Sequence, residues 1–306
     1  MRMLVLPMPE LPDILVYLDA LAPRVLHQPL ERVRIVSPFL VRSVDPPVSE
    51  IEGKRIVALR RLGKRIVWDF EGDLAMILHL MIAGRLRWSD KRDFKVAGKG
   101  NLASFTFPTG TLTLTEAGTK RRASLHIVQG AAAMADHARG DLDVLAADLS
   151  AFAATLTREN HTLKRALTDP RLFDGIGNAY SDEILHAARL SPVMLTSRLT
   201  AVEITGLHTA TCDTLNHWIA RLREQFRARF PGPGDITAFR PDFAVHGKFG
   251  QPCPICGTKV QRIRYAENET NYCPRCQTQG KLLADRSLSR LLHDDWPKTI
   301  DEWERA

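Results

Sequence analysis

Cys253-Pro-Ile-Cys256 and Cys273-Pro-Arg-Cys276 are the stretches that decide how this chain folds near its C-terminus. Two residues between the cysteines let both thiolates of a pair reach one metal ion, and two pairs complete the closed tetrahedral site that structural zinc prefers. The polar, β-rich segment between the pairs is too thin to fold without a metal. The spacing therefore predicts one structural zinc ion, with four reduced cysteines that merely fall at this spacing as the alternative.

The charge balance favours a polyanionic partner. The 306 residues include 42 Lys+Arg against 35 Asp+Glu, a formal net charge of +7, and such a surplus suits nucleic acid. No apolar run approaches the roughly 18 residues of a membrane span, and the first residues are too few for a secretory signal. Four metal-type cysteines and one spare thiol, Cys212, indicate a reducing compartment, so we expect a cytoplasmic protein with no membrane partner.

The residue pattern changes along the chain. Strand-like segments such as Arg65–Phe70 and Leu102–Phe107 dominate the first part, after a helix predicted at Leu11–Ala22. A helical block follows and ends at a Pro/Gly cluster, Pro231–Gly234. We therefore predict an α+β multidomain protein, with a β-rich unit at 8–135, a helical unit at 141–235, a zinc module at 245–290 and a tail at 291–306.

A glycine-containing turn, Gly175-Ile-Gly-Asn178, directly precedes an apolar-periodic stretch in the helical block. Asn178 is a good N-cap for a helix there, and the glycines let backbone approach a ligand closely. Exposed amides at the positive end of a helix dipole form a phosphate site. The same pattern is often only a turn and a cap, so the turn by itself leaves both interpretations open.

Three further motifs change that balance: Met8–Asp13 (MPELPD), Leu62–Arg65 (LGKR) and His79–Gly84 (HLMIAG). With the glycine turn and the cysteine pairs, in this order, they resemble the formamidopyrimidine-DNA glycosylase/endonuclease VIII family over about residues 8 to 290. The resemblance implies an N-terminal β-sandwich, a helix–two-turn–helix domain and a zinc finger. It also implies a monomer that binds double-stranded DNA with a damaged base or an abasic site in the cleft between these domains.

The resemblance assigns catalytic roles near the start of the chain. Pro9 matches the family's nucleophile, whose terminal secondary amine attacks C1′ of a flipped-out nucleotide, expels the base and forms an iminium link to the sugar. Glu10 matches the general acid/base that opens the sugar ring, after which elimination nicks the strand. Lys64 matches a lysine that acts at the sugar-phosphate of the lesion.

The resemblance also assigns DNA contacts. Lys164 and Asn178 match the pair that grips phosphates around the lesion, and Arg121 with Arg122 matches the arginines beside the orphaned base. Taken singly, such residues have plainer interpretations, since a lysine on a helix is usually a solvated face and Glu10 is a usual first-turn carboxylate. The combination favours the functional interpretation.

Chemistry at Pro9 needs a free nitrogen. Seven residues precede Met8, and an internal proline has an acylated nitrogen that is no nucleophile. We therefore expect translation to begin at Met8, with removal of that methionine before the proline.

Three positions depart from the family pattern. Ile82 stands where a void-filling methionine is expected, and Ala123 follows Arg121-Arg122 where a phenylalanine wedge is expected. Asn268 replaces the finger arginine that grips phosphates, and Arg262, Arg264 or Arg275 are the candidates to compensate. A bifunctional DNA glycosylase/AP lyase is the leading hypothesis. The alternatives are a non-catalytic protein that binds abasic or distorted DNA and a zinc-stapled RNA-binding or assembly protein.

Overall fold

The computed structural model describes residues 8–92, 100–117, 121–138, 142–237, 239–265, 268–284 and 297–305. The chain divides into two compact units. The first unit comprises Met1–Arg139 and His217–Ala238, and the second comprises Gly140–Asn216 and Phe239–Ala306. Because residues 217–238 join the first unit, its core is completed by a segment that begins 88 residues after Gln129, where the last strand of that unit's sheets ends.

The first unit is built on two four-stranded antiparallel sheets, in the orders β1-β6-β7-β5 and β2-β3-β4-β8. Their side chains form one hydrophobic core, so the predicted N-terminal β-sandwich is confirmed. The strands are β1 Arg32–Ile35, β2 Ile56–Leu62, β3 Arg65–Phe70, β4 Leu74–His79, β5 Gly84–Ser89, β6 Asn101–Phe107, β7 Gly110–Glu116 and β8 Ser124–Gln129.

Alternation along β3 explains why its two faces differ. Ile66, Trp68 and Phe70 belong to the sandwich core, where the Trp68 ring meets that of Phe105 with centroids 5.3 Å apart. Val67 points to the other face and packs in a separate small cluster with Ile77 and other side chains of the same sheet. That outer face is partly covered by the short helix α2, Gly130–Ala135.

Helix α1 spans Leu11–Val25 and buries Ile14, Tyr17 and Leu21 in the sandwich core. Pro12 lies in its first turn, where a proline removes no helical hydrogen bond. The sequence predicted an end at Ala22, but the helix runs three residues further. Val25 is fully buried, and the core contact it gains favours that extra turn over an earlier end.

The turn between β4 and β5 is tightly constrained. The Gly84 N–H donates to the carbonyl oxygen of Leu80 at 2.9 Å. A Cβ on Gly84 would lie 2.3 Å from that oxygen. The buried guanidinium of Arg85 donates to the carbonyls of Ile82, Gly84 and Ile236 at 3.1, 2.7 and 2.9 Å. Backbone contacts therefore hold the loop that carries Ile82 on both sides.

The second unit is mainly helical and contains one two-stranded antiparallel hairpin among its described residues. No helix in the described ranges is long and apolar enough to cross a membrane. The elements of the second unit are α3 Leu149–Thr157, α4 Leu163–Thr168, α5 Asn178–Ala187, α6 Ala201–Phe226 (whose last turns belong to the first unit), β9 Gln261–Tyr265, β10 Asn268–Tyr272, α7 Pro274–Thr278 and α8 Ile300–Arg305.

Replacing Gly84 by alanine tests the turn. The new methyl group would collide with backbone that cannot move as a side chain does, so we expect Gly84→Ala to destabilise the first unit by about 1–3 kcal/mol. Gly206→Ala is the control, because nothing lies within 4 Å of its added Cβ and alanine favours a helix. Denaturant unfolding midpoints measure both variants, and equal midpoints would contradict the constraint.

Candidate DNA-repair site and zinc centre

The start of α1 holds the two residues predicted to carry the chemistry. Pro9 is buried, and the Glu10 side chain and backbone are only 2% exposed. Glu10 is the N-cap of α1, and its backbone N–H donates to the Asp13 carboxylate at 2.9 Å. The Glu10 backbone is extended, and its carboxylate accepts in return from the Asp13 backbone N–H, so this capping box fixes the Glu10 side chain at the helix start.

Lys64 lies in the two-residue turn between β2 and β3 and is half-buried. Gly63 before it has φ 63°, a left-handed conformation that glycine adopts without strain. The Leu62–Arg65 pair closes the hairpin. Pro9, Glu10 and Lys64 all belong to the first unit.

Arg121 and Arg122 are exposed in the segment just before β8, where the buried carboxylate of Glu116 binds the backbone. That carboxylate accepts from the Arg122 N–H at 2.9 Å and from the Ala123 N–H at 3.2 Å. Ala123 is 3% exposed and belongs to the sandwich core. It is therefore a packing residue, and the position offers no aromatic wedge.

In the second unit the structure brings Lys164 and Asn178 together. The Lys164 Nζ donates to the Asn178 carbonyl at 2.6 Å, and the Asn178 side-chain amide donates to the Glu269 carbonyl in the hairpin at 2.9 Å. The expected N-cap was wrong by one residue: Gly177 is the cap, and Asn178 is the first helical residue. Its amide is thus used to tie α5 to β10.

The carboxylate of Asp182 on α5 is the centre of this arrangement. It is fully buried and lies 2.5 Å from Lys164 Nζ and 2.7 Å from His246 Nδ1, and it accepts from the Asn271 N–H at 3.1 Å. Burial alone would raise the pKa of Asp182, but the Lys164 ammonium and the His246 ring outweigh it and hold that pKa below its ordinary value. Asp182 is therefore ionised and stabilised by partners from three other segments.

Glu183, the next residue, is buried on another side of the same helix. Its carboxylate accepts from the backbone N–H groups of Ala244, Val245 and His246 at 2.7, 2.9 and 2.8 Å. Burial raises the pKa of Glu183, against the lowering effect of these three donors. Together the two carboxylates fix the segment that enters the zinc module against α5.

The four predicted zinc ligands meet in one cluster. The Sγ atoms of Cys253, Cys256, Cys273 and Cys276 all lie within 4.8 Å of one another. Two of the Sγ–Sγ distances are 3.9 Å (Cys253–Cys276) and 3.4 Å (Cys256–Cys273). Zinc–sulfur bonds of about 2.3 Å in a tetrahedron place sulfur atoms about 3.8 Å apart. The donor set and its dimensions therefore fit a tetrahedral zinc ion.

The cost of ionising the buried thiols also favours a bound cation at this cluster. Burial raises the pKa of Cys276 to about 11 and raises that of Cys273 as well. Burial likewise opposes ionisation of Cys256, but hydrogen bonds involving Thr258 and the neighbouring thiols lower its pKa to about 6. Four thiolates in contact repel one another, and a divalent ion removes that cost. His186 adds a ring nitrogen 3.3 Å from Cys253 Sγ, the kind of outer contact that orients a metal ligand.

The arginines proposed to replace the finger arginine are paired with acids. Arg262 and Arg264 both approach the Glu269 carboxylate, at 3.2 and 3.4 Å, and Arg275 lies 2.9 Å from Asp301. Arg262 also stacks over the Phe249 ring at 4.0 Å. Asn268 begins β10, but its side chain lies outside the described part of the structure.

Comparison with family models matches three consecutive parts of the chain. Residues 8–124 match the formamidopyrimidine-DNA glycosylase N-terminal domain, 142–228 the H2TH domain of that enzyme, and 250–279 the zinc finger found in FPG and IleRS. A formamidopyrimidine-DNA glycosylase of Variovorax paradoxus is 30% identical over 278 residues, which cover 88% of this chain and all of that protein. The chain belongs to the formamidopyrimidine-DNA glycosylase family.

Other relatives and structures agree on the family and its fold. An uncharacterized formamidopyrimidine-DNA glycosylase-like protein of Mycobacterium tuberculosis is 41% identical over 151 residues, 49% of this chain and 90% of that one. MutM (Fpg) from Thermus thermophilus superimposes with a TM-score of 0.73 at 28% identity, over 88% of this chain and 98% of that one. Lactococcus lactis Fpg, solved with DNA containing an AP site, has a TM-score of 0.75 at 23% identity, over 88% of this chain and 99% of that one. At this identity the likeness shows only that the two chains share a fold.

Membership in this family settles the metal. The four-cysteine cluster is the structural zinc centre of an FPG-type finger, as the spacing predicted. The sequence did not reveal Asp182, Glu183, Arg85 or Glu116 as organising residues. Asp182 and Glu183 look like ordinary polar positions of a helix, and only their adjacency within an otherwise apolar stretch could have suggested burial.

Removing the charge of Asp182 tests its central position. Asp182→Asn leaves the Lys164 ammonium without its carboxylate, so we expect a loss of about 3 kcal/mol in stability of the second unit. Asp301→Asn is the control, because the Asp301–Arg275 pair is more than half exposed and contributes below about 1 kcal/mol. Hydrogen exchange at the Asn271 amide and the unfolding midpoint measure the effect. Equal losses of stability in the two variants would contradict the central role of Asp182.

Zinc content tests the metal centre. We expect one zinc per chain in the purified protein, loss of zinc in Cys273→Ser, and full retention in Cys212→Ser. Burial raises the pKa of the Cys212 thiol, and Cys212 lies outside the four-sulfur cluster. Atomic absorption and a colorimetric chelator assay give the content. Zinc retained after loss of Cys273 would show that these four sulfurs are not the site.

Proposed function

We propose that this protein is a base-excision repair DNA glycosylase with AP lyase activity, in which Pro9 is the nucleophile. The observation that supports the proposal is the match to the family's N-terminal domain, which begins at Met8, directly before Pro9. A terminal α-amine titrates near pH 8, so a useful fraction is free base at neutral pH. This chemistry requires a mature protein that begins at Pro9, without residues 1–8.

The reaction proceeds by nucleophilic substitution and then elimination. The Pro9 nitrogen forms a bond to C1′ while the glycosidic C–N bond breaks and the base leaves with its electron pair. Glu10 protonates the ring oxygen as the sugar opens, which yields an iminium ion between Pro9 and C1′. The iminium acidifies the proton on C2′, and its loss expels the 3′ phosphate. Water then hydrolyses the iminium and frees the enzyme.

Positive groups of both units are proposed to bind the DNA backbone. Lys64, Arg121 and Arg122 are half-buried or exposed cations of the first unit. Lys164 uses two of its three N–H groups on Asn178 and Asp182 and can offer the third to a phosphate. Asn178 and Asn268 would support that contact. Each phosphate neutralised steepens the fall of affinity with salt by roughly 0.9 log unit per decade.

A non-catalytic protein that binds abasic or distorted DNA is the second candidate. The observation that favours it is Ala123, which is buried where the family pattern has a base-stack wedge. Extruding a nucleotide leaves a gap that costs a few kcal/mol of stacking, and alanine cannot fill that gap. Arg121 or Arg122 beside it can still contact the unpaired base.

An incision assay on abasic duplex separates the two candidates. We expect the protein that begins at Pro9 to nick the strand, and Glu10→Gln to slow nicking by at least about a hundredfold while DNA affinity stays within about twofold. Asp19→Asn, a change in an exposed residue of the same helix, is the matched control and keeps full activity. Tight binding without incision by the protein that begins at Pro9 would support the non-catalytic candidate.

A further inference from the structure

A pair of histidines lies on the outer face of the sandwich, the face that carries Val67 and Ile77. His126 is on β8 and His137 follows α2, and their rings meet edge to face with centroids 4.7 Å apart. We call them the histidine pair. Within the part of the chain that the structure describes, none of their ring nitrogens has a hydrogen-bond partner. Two polar rings that pack on each other with unused donors can bind a ligand.

The groups around the histidine pair are mostly cationic. Arg65, from the start of β3, donates through Nη1 to the His137 carbonyl at 2.8 Å. Arg42, on the segment that forms a bridge with β8, is exposed and acts electrostatically on His126. Asp136 is the acidic group that acts on His137. Among the described residues that act electrostatically on the pair, two are arginines and one is a carboxylate, so positive charge predominates.

This environment disfavours protonation of both rings. Burial lowers the pKa of His126, and repulsion from His137, Arg65 and Arg42 lowers it further. Burial and Arg65 also lower the pKa of His137, while Asp136 opposes that change. The rings are therefore neutral at neutral pH. An anion bound among these groups would reverse the balance and favour imidazolium.

In the β2-β3-β4-β8 sheet, strand register places His126 near the end where the β2–β3 turn carries Lys64. Arg65 pairs with His79 on β4, and His79 pairs with Ser124 on β8. His126 is two residues along β8 from Ser124, on the same face. Since neighbouring strands are about 4.8 Å apart, His126 lies roughly 10 Å across the sheet from the strand that begins beside Lys64. Lys64 and His126 therefore lie near the same end of this sheet.

We propose that the histidine pair, with Arg42 and Arg65, binds a backbone phosphate of the DNA, beyond the contacts made by the proposed catalytic residues. The inference rests on the proposed function, because it takes DNA as the ligand. A phosphodiester has the charge and acceptor oxygens that two imidazole N–H groups and an arginine recognise. Binding it draws protons onto the rings, so affinity for DNA strengthens as pH falls.

Binding measured at two pH values tests the proposal. The probe is a duplex with a chemically reduced abasic site, which cannot undergo elimination, followed by fluorescence anisotropy. We expect affinity to rise about three- to tenfold from about pH 8 to about pH 6. The slope of log affinity against log salt should steepen by about 0.9 over the same change. In the His126→Gln/His137→Gln double variant both changes disappear.

Two further variants guard against trivial explanations. His217→Gln alters an exposed histidine of the same unit elsewhere on the chain and should behave as wild type. Arg42→Gln, an exposed change that does not threaten folding, should reduce the salt slope by about 0.9 at both pH values. A pH dependence that is unchanged in the double variant, or a normal salt slope in Arg42→Gln, would overturn the proposal.

Two further experiments distinguish binding of a DNA phosphate from binding of free phosphate, and failure of this proposal from failure of the proposed lyase activity. Exchange of chloride for inorganic phosphate at matched ionic strength should weaken DNA binding equally in wild type and in the double variant. Phosphate inhibition confined to wild type, with equal duplex affinity otherwise, would mean a free-phosphate site and contradict the proposal. If the wild-type protein does not incise DNA but its DNA binding still depends on pH in the expected way, the proposed lyase activity is wrong and the proposed phosphate site is retained.

Discussion

The buried carboxylate of Asp182 is the constraint on which the second unit depends. A charge with no solvent contact is costly unless it is paired, and here the pairing comes from α4, the 244–246 segment and the zinc hairpin. With Glu183 binding three backbone amides beside it, one turn of α5 contacts α4, the 244–246 segment and β10. The zinc ion closes the finger, and α5 decides how the finger is held against the helices of this unit.

The same physical device recurs in the first unit, where buried charged groups hold backbone. Glu116 accepts from two amides before β8, and Arg85 donates to three carbonyls around the β4–β5 turn. Both contacts fix loops that carry the exposed Arg121 and the half-buried Ile82. The aromatic core makes the β-sandwich rigid, and the Glu116 and Arg85 side chains fix these two loops to it.

The sequence predicted what short spacing encodes and missed what tertiary contacts create. The C-x-x-C pairs specify a tetrahedral site within a few residues, and the alternation in β3 specifies its faces, so the zinc centre and the sandwich were predictable. Arg85 and Glu116 pair with backbone atoms, which leave no signature in side-chain identity. Asn178 satisfies the rule for an N-cap, yet its amide reaches Glu269 in the hairpin, a partner 91 residues away that no local rule supplies.

The most direct measurement is borohydride trapping on an abasic duplex, with the adduct mapped by mass spectrometry, for proteins that begin at Met1 and at Met8. Reduction captures an iminium only where a free amine has attacked the sugar. The account predicts an adduct at Pro9 with the Met8 protein and none there with the protein that retains residues 1–7. An adduct at a lysine, or none in either protein despite tight binding, would contradict the assignment of Pro9 as the nucleophile.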